Sequence, residues 1–178
     1  MQQRVQILRL GHRPQRDIRL TSHVCLISRA FGAEKIIIAS NKDENVEKTI
    51  LGVNRTWGGN FTVEFNPKWR SVIKSWHESG GEVIHLTMYG LPVDETIQSI
   101  GKSKKPKLIV VGAEKVPGEV YQLADYNIAI GNQPHSEAAA LAVLLHELFE
   151  GKELGQEFPG AQRKIIPQEH GKKVVQNQ

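Results

Sequence analysis

Short apolar segments alternate along the chain with longer segments in which apolar residues recur every three or four positions. The runs KIIIA (residues 35–39) and KLIVV (residues 107–111) are typical of parallel strands that are buried on both faces. Capped amphipathic segments between such runs predict helices, and the Ala- and Leu-rich segment 136–150 is a clear example. The alternation predicts an α/β fold, in which a parallel sheet carries helices on both faces.

The pattern gives bounds for each element. Strands are predicted at residues 6–10, 35–39, 61–65, 82–89, 107–111 and 127–130. Helices are predicted at residues 21–31, 43–53, 67–79, 93–101, 118–126 and 136–150. The rhythm breaks near the end, where RKII (163–166) and KKVVQ (172–176) flank PQEHG, which predicts a C-terminal β-hairpin arm. We therefore expect one domain over residues 1–155 and an extension over residues 156–178.

Composition narrows the class of protein. The chain has 178 residues, of which 39% are hydrophobic and 24% are charged, and this excludes disordered, collagen-like and disulfide-scaffold classes. The net charge of +4 permits an acidic partner such as nucleic acid without requiring one. No apolar run reaches the ~20 residues of a membrane helix, and the N-terminal segment has no signal-peptide core. We expect a cytoplasmic protein with no membrane partner.

Metal and nucleophile motifs are missing from the sequence. Cys25 is the single cysteine, so it cannot form an internal disulfide or a zinc cluster. We expect it to be a buried small residue, with a catalytic thiol as the alternative. The histidines show no metal-ligand spacing, so no metal is predicted. The chain also has no phosphate loop and no G-x-S-x-G nucleophile motif.

Three loops that follow predicted strands are candidates for a ligand site. They are HLTMYGLP (85–92), GAEKVPGEV (112–120) and GNQPHSE (131–137), and each carries glycine at or near the strand exit. Ligands bind at the carboxyl ends of strands in open α/β sheets. Backbone groups there are suited to hold an adenine and a ribose; simple tight turns are the alternative. Ser136 is also placed to cap the following helix.

An arginine-rich segment, LGHRPQRDIRLTSHV (residues 10–24), is the second candidate site. Arg13, Arg16 and Arg19 recur at every third position, with His23 nearby. Arginines in this arrangement suit contacts with phosphate and sugar. The alternative interpretation is a solvated loop followed by a helix start.

These segments carry a resemblance to a known family. Residues 10–24, MYGL (88–91), VGAEKVP (111–117) and ADYNIAIGNQPHSEAAALAV (124–143) resemble the archaeal tRNA (cytidine-56) 2′-O-methyltransferases of the SPOUT superfamily. The resemblance covers most of the chain. It implies a SPOUT-type sheet with a C-terminal deep trefoil knot, which patterning alone would not predict because knots are so rare. It also implies S-adenosylmethionine as the cofactor, tRNA as the substrate with cytidine 56 of the T-loop as the target, and a homodimer with active sites at the interface.

The resemblance also assigns site residues. The residues expected to bind the cofactor are Leu86, Met88, Gly90, Gly112, Ala113, Glu114, Lys115, Val116, Ile130, Gly131, Asn132, Gln133, Pro134, His135, Ser136 and Glu137. Ser136 and Glu137 are expected near the methionine end or the reaction centre. The chain departs from the broader family at this loop, because Ser136-Glu137-Ala138 stands where that family favours Ser-x-Asn.

The expected chemistry is methyl transfer to a ribose 2′-hydroxyl, which is a poor nucleophile. Arginine stays protonated with a pKa above ~12, so Arg16 or Arg19 is expected to stabilise the developing oxyanion or to hold the adjacent phosphate. A base role for His23 or His135 is the alternative. The catalytic candidates are Arg16, Arg19, His23 and Ser136. The residues expected to contact tRNA are Arg13, Lys115, Arg163, Lys164, Lys172 and Lys173, with simple solvation of the tail as the alternative for the last four. The different-class alternative is a non-catalytic RNA- or nucleotide-binding module.

Overall fold

The computed structural model describes residues 4–112 and 115–177. The strands in that part of the chain are β1 (Val5–Leu10), β2 (Lys35–Ile38), β3 (Thr62–Phe65), β4 (Glu82–Pro92), β5 (Lys107–Gly112), β6 (Tyr126–Ala129), β7 (Arg163–Ile165) and β8 (Val174–Gln176). The α-helices are α1 (Ile18–Ala30), α2 (Glu44–Trp57), α3 (Trp69–Glu78), α4 (Val93–Lys102), α5 (Glu119–Leu123) and α6 (Glu137–Phe149), and a 3₁₀ helix spans Lys152–Gly155. None of the helices in the described ranges is long and apolar enough to span a membrane.

The first six strands form one parallel sheet in the order β3-β2-β1-β5-β4-β6. Successive side chains of a strand point to opposite faces, and the core is divided accordingly. Ile7 of β1 packs in the cluster to which α1 and α6 contribute, whereas Leu8 packs in the cluster that includes Ile73 of α3 and Val120 of α5. The predicted α/β fold with helices on both faces is therefore confirmed.

Helix α1 begins earlier than its sequence indicates. The pattern predicts a Thr or Ser cap at residue 21, but the helix starts at Ile18, and the Thr21 backbone N–H already donates to the Asp17 carbonyl oxygen at 2.8 Å. The Thr21 hydroxyl is used elsewhere, because it hydrogen-bonds the side chains of Arg9 and His12. A buried polar contact has replaced the expected capping role.

Strand β4 interrupts its pairing with β6. Leu86 and Leu91 both lie opposite Ile128, so residues 87–90 leave the ladder and rejoin it. We call residues 87–90 the β4 excursion. Its last residue must be glycine, since a Cβ at Gly90 would lie 2.5 Å from backbone atoms of Asn127. The strand predicted at residues 82–89 therefore runs on to Pro92.

The C-terminal segment lies outside the main sheet. Strands β7 and β8 pair antiparallel, with Lys164 opposite Val175. The chain leading to them packs on the end of α1, where the Arg29 guanidinium stacks 4.4 Å from the centre of the Phe158 ring.

Candidate active site

A cavity of about 430 Å³ lies at the carboxyl edge of the sheet, within the ~300–1,000 Å³ typical of small-molecule sites. Its walls are the β4 excursion, the ends of β5 and β6, the loop before α6 and the start of α1. The three loops that the sequence singles out therefore do meet, because the carboxyl ends of parallel strands share one edge.

A side chain joins two of the three loops. The Asn132 Nδ2 group donates to the carbonyl oxygens of Met88 at 2.8 Å and Gly90 at 3.1 Å, which joins the loop after β6 to the β4 excursion. Gly112 ends β5 where a Cβ would collide with the side chain of Val116. Gly112 and Ile130, at the ends of β5 and β6, both line the cavity, as an adenosine-binding site built from backbone groups requires.

His135 and Ser136 hold the loop before α6. His135 Nε2 lies 2.6 Å from the Ile130 carbonyl oxygen, and Nδ1 lies 3.1 Å from the carbonyl oxygen of Ser136. The Ser136 hydroxyl accepts a hydrogen bond from the Ala138 N–H at 3.2 Å and caps the helix. A base role for His135 would require one of its ring contacts to break.

An ion pair from the arginine-rich segment lines the same cavity. Arg13 holds Asp17 through Nε at 2.9 Å and Nη2 at 3.1 Å, and its backbone N–H donates to the same carboxylate. The hydrogen bond from the Arg13 side chain lowers the pKa of Asp17. Asp17 is therefore ionised at neutral pH, and both of its oxygens are occupied by Arg13.

His85 forms part of the cavity wall and is fully buried. Its Nδ1 lies 2.9 Å from Asn127 Oδ1, while Asn127 Nδ2 donates to the Tyr121 carbonyl oxygen. Because Oδ1 can only accept, this arrangement assigns the imidazole proton to Nδ1. Burial lowers the pKa of His85, although the hydrogen bond with Asn127 acts in the opposite direction. The ring is therefore neutral near pH 7.

Behind the cavity lies a buried polar network. Arg9 on β1 donates from Nε to Thr21 Oγ1 and from Nη1 to Glu137 Oε1, both at 3.0 Å. The Thr21 hydroxyl is also hydrogen-bonded to His12 Nδ1, 2.8 Å away. His12 Nε2 then donates to Asp43 Oδ2 at 3.0 Å. The network joins β1, α1 and the starts of α2 and α6.

Comparison with known proteins identifies the chain. A family model described as tRNA ribose 2′-O-methyltransferase, aTrm56, matches residues 57–175, more than half of the chain. The chain belongs to this family. The tRNA (cytidine(56)-2′-O)-methyltransferase of Thermococcus kodakarensis is 55% identical over 179 residues, which cover 99% of this chain and 99% of that protein. The protein of the same name from Pyrococcus horikoshii is 60% identical over 175 residues, covering 97% and 85%.

Solved structures of SpoU methyltransferases share the fold. The structure of AviRb from Streptomyces viridochromogenes, in complex with the cofactor AdoMet, matches with a TM-score of 0.59 at 15% identity. The match covers 85% of this chain and 59% of AviRb, so this chain spans less than two thirds of that protein. The A. aeolicus TrmH/SpoU tRNA modifying enzyme matches with a TM-score of 0.60 at 17% identity over 85% of this chain and 77% of that chain. At these identities the likeness establishes the fold alone.

Of the sixteen residues that the family resemblance assigns to cofactor binding, ten line the cavity. Those that line it are Leu86, Met88, Gly112, Val116, Ile130, Gln133, Pro134, His135, Ser136 and Glu137. Gly90, Lys115, Gly131 and Asn132 lie in the same loops but do not line it. Ala113 and Glu114 lie outside the described residues.

Most of the predicted catalytic side chains do not line the cavity. Arg16, Arg19 and His23 are exposed, and none of them lines the cavity of this single chain. Arg13 does line it, together with Asp17. The spacing of an arginine and an aspartate four residues apart was a signal for that pair, because such side chains meet on one turn.

Other site residues were missed by sequence reasoning. Arg9 is an arginine inside an otherwise apolar strand, and a charge there must be paired; that rule could have found it. Nothing in the sequence indicated which residue pairs with it.

Cys25 is fully buried, and burial raises its pKa to about 12, so the expectation of an inert buried residue is confirmed over a catalytic thiol. Among the described residues, no three His, Cys, Asp or Glu side chains cluster as metal ligands would.

Proposed function

We propose that this protein is an S-adenosylmethionine-dependent tRNA ribose 2′-O-methyltransferase that acts on cytidine 56 in the T-loop. Membership of the aTrm56 family carries the proposal, since relatives more than half identical over nearly the whole chain are named for that reaction. The cavity at the carboxyl edge of the sheet supports the proposal, because ten of the residues expected to bind the cofactor line it.

The cavity residues fit the cofactor. Met88, Gly112 and Ile130, which line the cavity, are proposed to supply backbone donors and acceptors for an adenine and a ribose. The sixteen loop residues assigned by resemblance are proposed to hold it. When bound, S-adenosylmethionine supplies an electrophilic methyl group on a sulfonium centre. The protein's part is to hold that centre in line with the acceptor hydroxyl.

Activation of the 2′-hydroxyl is proposed to depend on side chains of the arginine-rich segment. Arg16 or Arg19 is proposed to stabilise the developing oxyanion or to hold the adjacent phosphate, and His23 is the alternative as a base. His135 is less suited to that task, because both ring nitrogens already contact backbone carbonyl oxygens. Ser136 is used as a helix cap, and its proposed place is near the methionine end.

A homodimer is proposed because Arg16 and Arg19 are exposed on the single chain. Active sites at an interface between two copies would give these side chains a second cavity to reach.

The carboxyl-terminal half of the sheet is proposed to form a deep trefoil knot, which is compatible with β6 lying beyond β4 at the sheet edge. Residues 1–155 would then be the SPOUT domain and 156–178 an arm that helps to contact tRNA. We place the enzyme in the cytoplasm, where tRNA is found.

The test is methylation of an unmodified tRNA transcript with a methyl-labelled donor, followed by mapping of the labelled ribose. We expect the label on cytidine 56. A transcript with 2′-deoxycytidine at that position is the control, since it lacks only the acceptor oxygen. Label on the deoxy transcript or at another nucleotide would contradict the assignment.

A thermal-shift measurement separates the enzyme from a non-catalytic RNA-binding module. S-adenosylmethionine or S-adenosylhomocysteine at ~100 times its Kd should stabilise the fold by about 2.7 kcal/mol, whereas ATP and NAD should not. RNA binding without any shift from S-adenosylmethionine or S-adenosylhomocysteine would favour the binding module.

A further inference from the structure

The buried arginine of β1 reaches the cavity through one carboxylate. The Arg9 side chain is 0% exposed, and the Glu137 side chain that it contacts at 3.0 Å is 21% exposed and lines the cavity. Their charges therefore meet at the boundary between core and cavity. Burying a charge is unfavourable unless it is paired, so the pair fixes the first residue of α6 against β1.

Arg9 is itself held in one direction. Thr21 is fully buried and accepts a hydrogen bond from Arg9 Nε. The Thr21 hydroxyl also contacts His12, which in turn contacts Asp43. A guanidinium fixed through Nε cannot swing with its carboxylate partner as an exposed arginine would. The position of the Glu137 carboxylate is thus set by the fold.

Among the described residues, two acids line the cavity, Asp17 and Glu137. Both oxygens of Asp17 are engaged by Arg13. In contrast, Glu137 receives Arg9 on Oε1, and no group in residues 4–112 or 115–177 is hydrogen-bonded to Oε2. This leaves one carboxylate oxygen available to a ligand.

We propose that Arg9 is a positioning residue that holds the Glu137 carboxylate toward the positive charge of the bound methyl donor. The inference rests on the proposed function and deepens it, since resemblance assigns Glu137 only to the neighbourhood of the methionine end. S-adenosylmethionine carries a sulfonium and an ammonium group, and a fixed carboxylate suits a cation of either kind. S-adenosylhomocysteine keeps the ammonium group and lacks the sulfonium charge.

The test measures the Kd of both ligands by calorimetry in the absence of tRNA, for the wild type and for Glu137→Gln. We expect Glu137→Gln to weaken S-adenosylmethionine binding by about 10- to 100-fold, the range for a hydrogen bond to a charged group. Glu44→Gln is the matched control, because Glu44 is also the first residue of a helix but is exposed. It should change neither Kd.

The pattern of losses identifies the charge. A loss confined to S-adenosylmethionine indicates the sulfonium group, and equal losses for both ligands indicate the ammonium group; both support the proposal. Unchanged Kd values in Glu137→Gln would overturn it. If the wild type binds neither ligand, the proposed function fails instead, so the two failures are distinguishable.

Arg9 is tested through Arg9→Lys and Thr21→Val, which keep the buried charge or the shape of the helix. Each should move S-adenosylmethionine affinity in the same direction as Glu137→Gln, by a smaller factor. Unfolding in urea checks that the variants remain folded. Wild-type affinities in both folded variants, alongside a loss in Glu137→Gln, would exclude Arg9 as the positioning residue.

Discussion

The Asn132 side chain donates a hydrogen bond of 2.8 Å to the carbonyl oxygen of Met88, across 44 residues of sequence. Because Asn132 is exposed, its contribution is to loop geometry more than to the core. Asn132→Ala should therefore weaken S-adenosylmethionine binding by roughly 5- to 10-fold, as the loss of about one neutral hydrogen bond predicts. The Tm of the unliganded protein should change little.

Calorimetry with Asn132→Ala checks this prediction. Asn41→Ala, at an exposed position far along the chain from the three loops, is the control. Equal affinities in the wild type and Asn132→Ala would show that the bridge does not order the site.

Replacing Arg16 or Arg19 by alanine should reduce methyl transfer to tRNA by ~10²-fold or more, the usual size of a lost oxyanion contact. Affinity for S-adenosylmethionine should be retained, because both side chains are proposed to act on the 2′-hydroxyl or the adjacent phosphate of tRNA and not on the cofactor. Rates with labelled donor and calorimetric Kd values provide the two readouts. Arg55→Ala, which removes an exposed arginine of α2, is the control. Full activity in both variants would remove them from the mechanism.

Stability should fall as the solution is acidified below about pH 6.5, the ordinary pKa of histidine. The pKa of His85 is lowered in the folded protein by burial, so below the unfolded-state pKa only the unfolded chain takes up this proton. Stability is then lost with falling pH, by up to ~1.4 kcal/mol per pH unit, until the folded-state pKa is reached. Urea unfolding between pH 7.5 and 5 measures this slope.

His85→Gln should flatten that slope, whatever it does to stability at pH 7. His170→Gln changes an exposed histidine of the C-terminal arm and is the matched control. If His85→Gln and the wild type show the same slope, the buried imidazole is not the source of the pH dependence.

Gly90→Ala should destabilise the protein by roughly 1–3 kcal/mol, the cost of forcing atoms into a packed region. The new Cβ would lie 2.5 Å from the backbone of Asn127, which cannot move aside as a flexible side chain would. Urea unfolding measures the change. Gly101→Ala is the comparison, because nothing lies within 4 Å of that position in α4; it should stabilise by about 1 kcal/mol. A neutral Gly90→Ala would mean that the β4 excursion is free to shift.

The fold was accessible from the sequence because its signals are local. The runs KIIIA and KLIVV are typical of buried strands, and once strands and helices alternate, the parallel sheet and the meeting of loops at one edge follow. The predicted start of α1 was wrong because the Thr21 hydroxyl hydrogen-bonds Arg9 and His12 instead of capping the helix. Local patterning does not reveal such a competing tertiary contact.

The site was accessible only in part. Glycine at strand exits indicated which loops approach a ligand, and resemblance supplied the ligand itself. The pairing of Arg9 with Glu137 spans 128 residues and depends on how α6 is laid against β1. No spacing rule connects two such positions, and the trefoil knot stays a prediction for the same reason.

That pairing also bears on the order in which the chain is made. Arg9 is translated before Glu137, which follows more than a hundred residues later. Until then the guanidinium lacks this anion, and withdrawing it from water would be costly. Burial of β1 in the core is therefore unfavourable until α6 has been translated. A nascent chain stalled before that helix should be unable to bind the methyl donor.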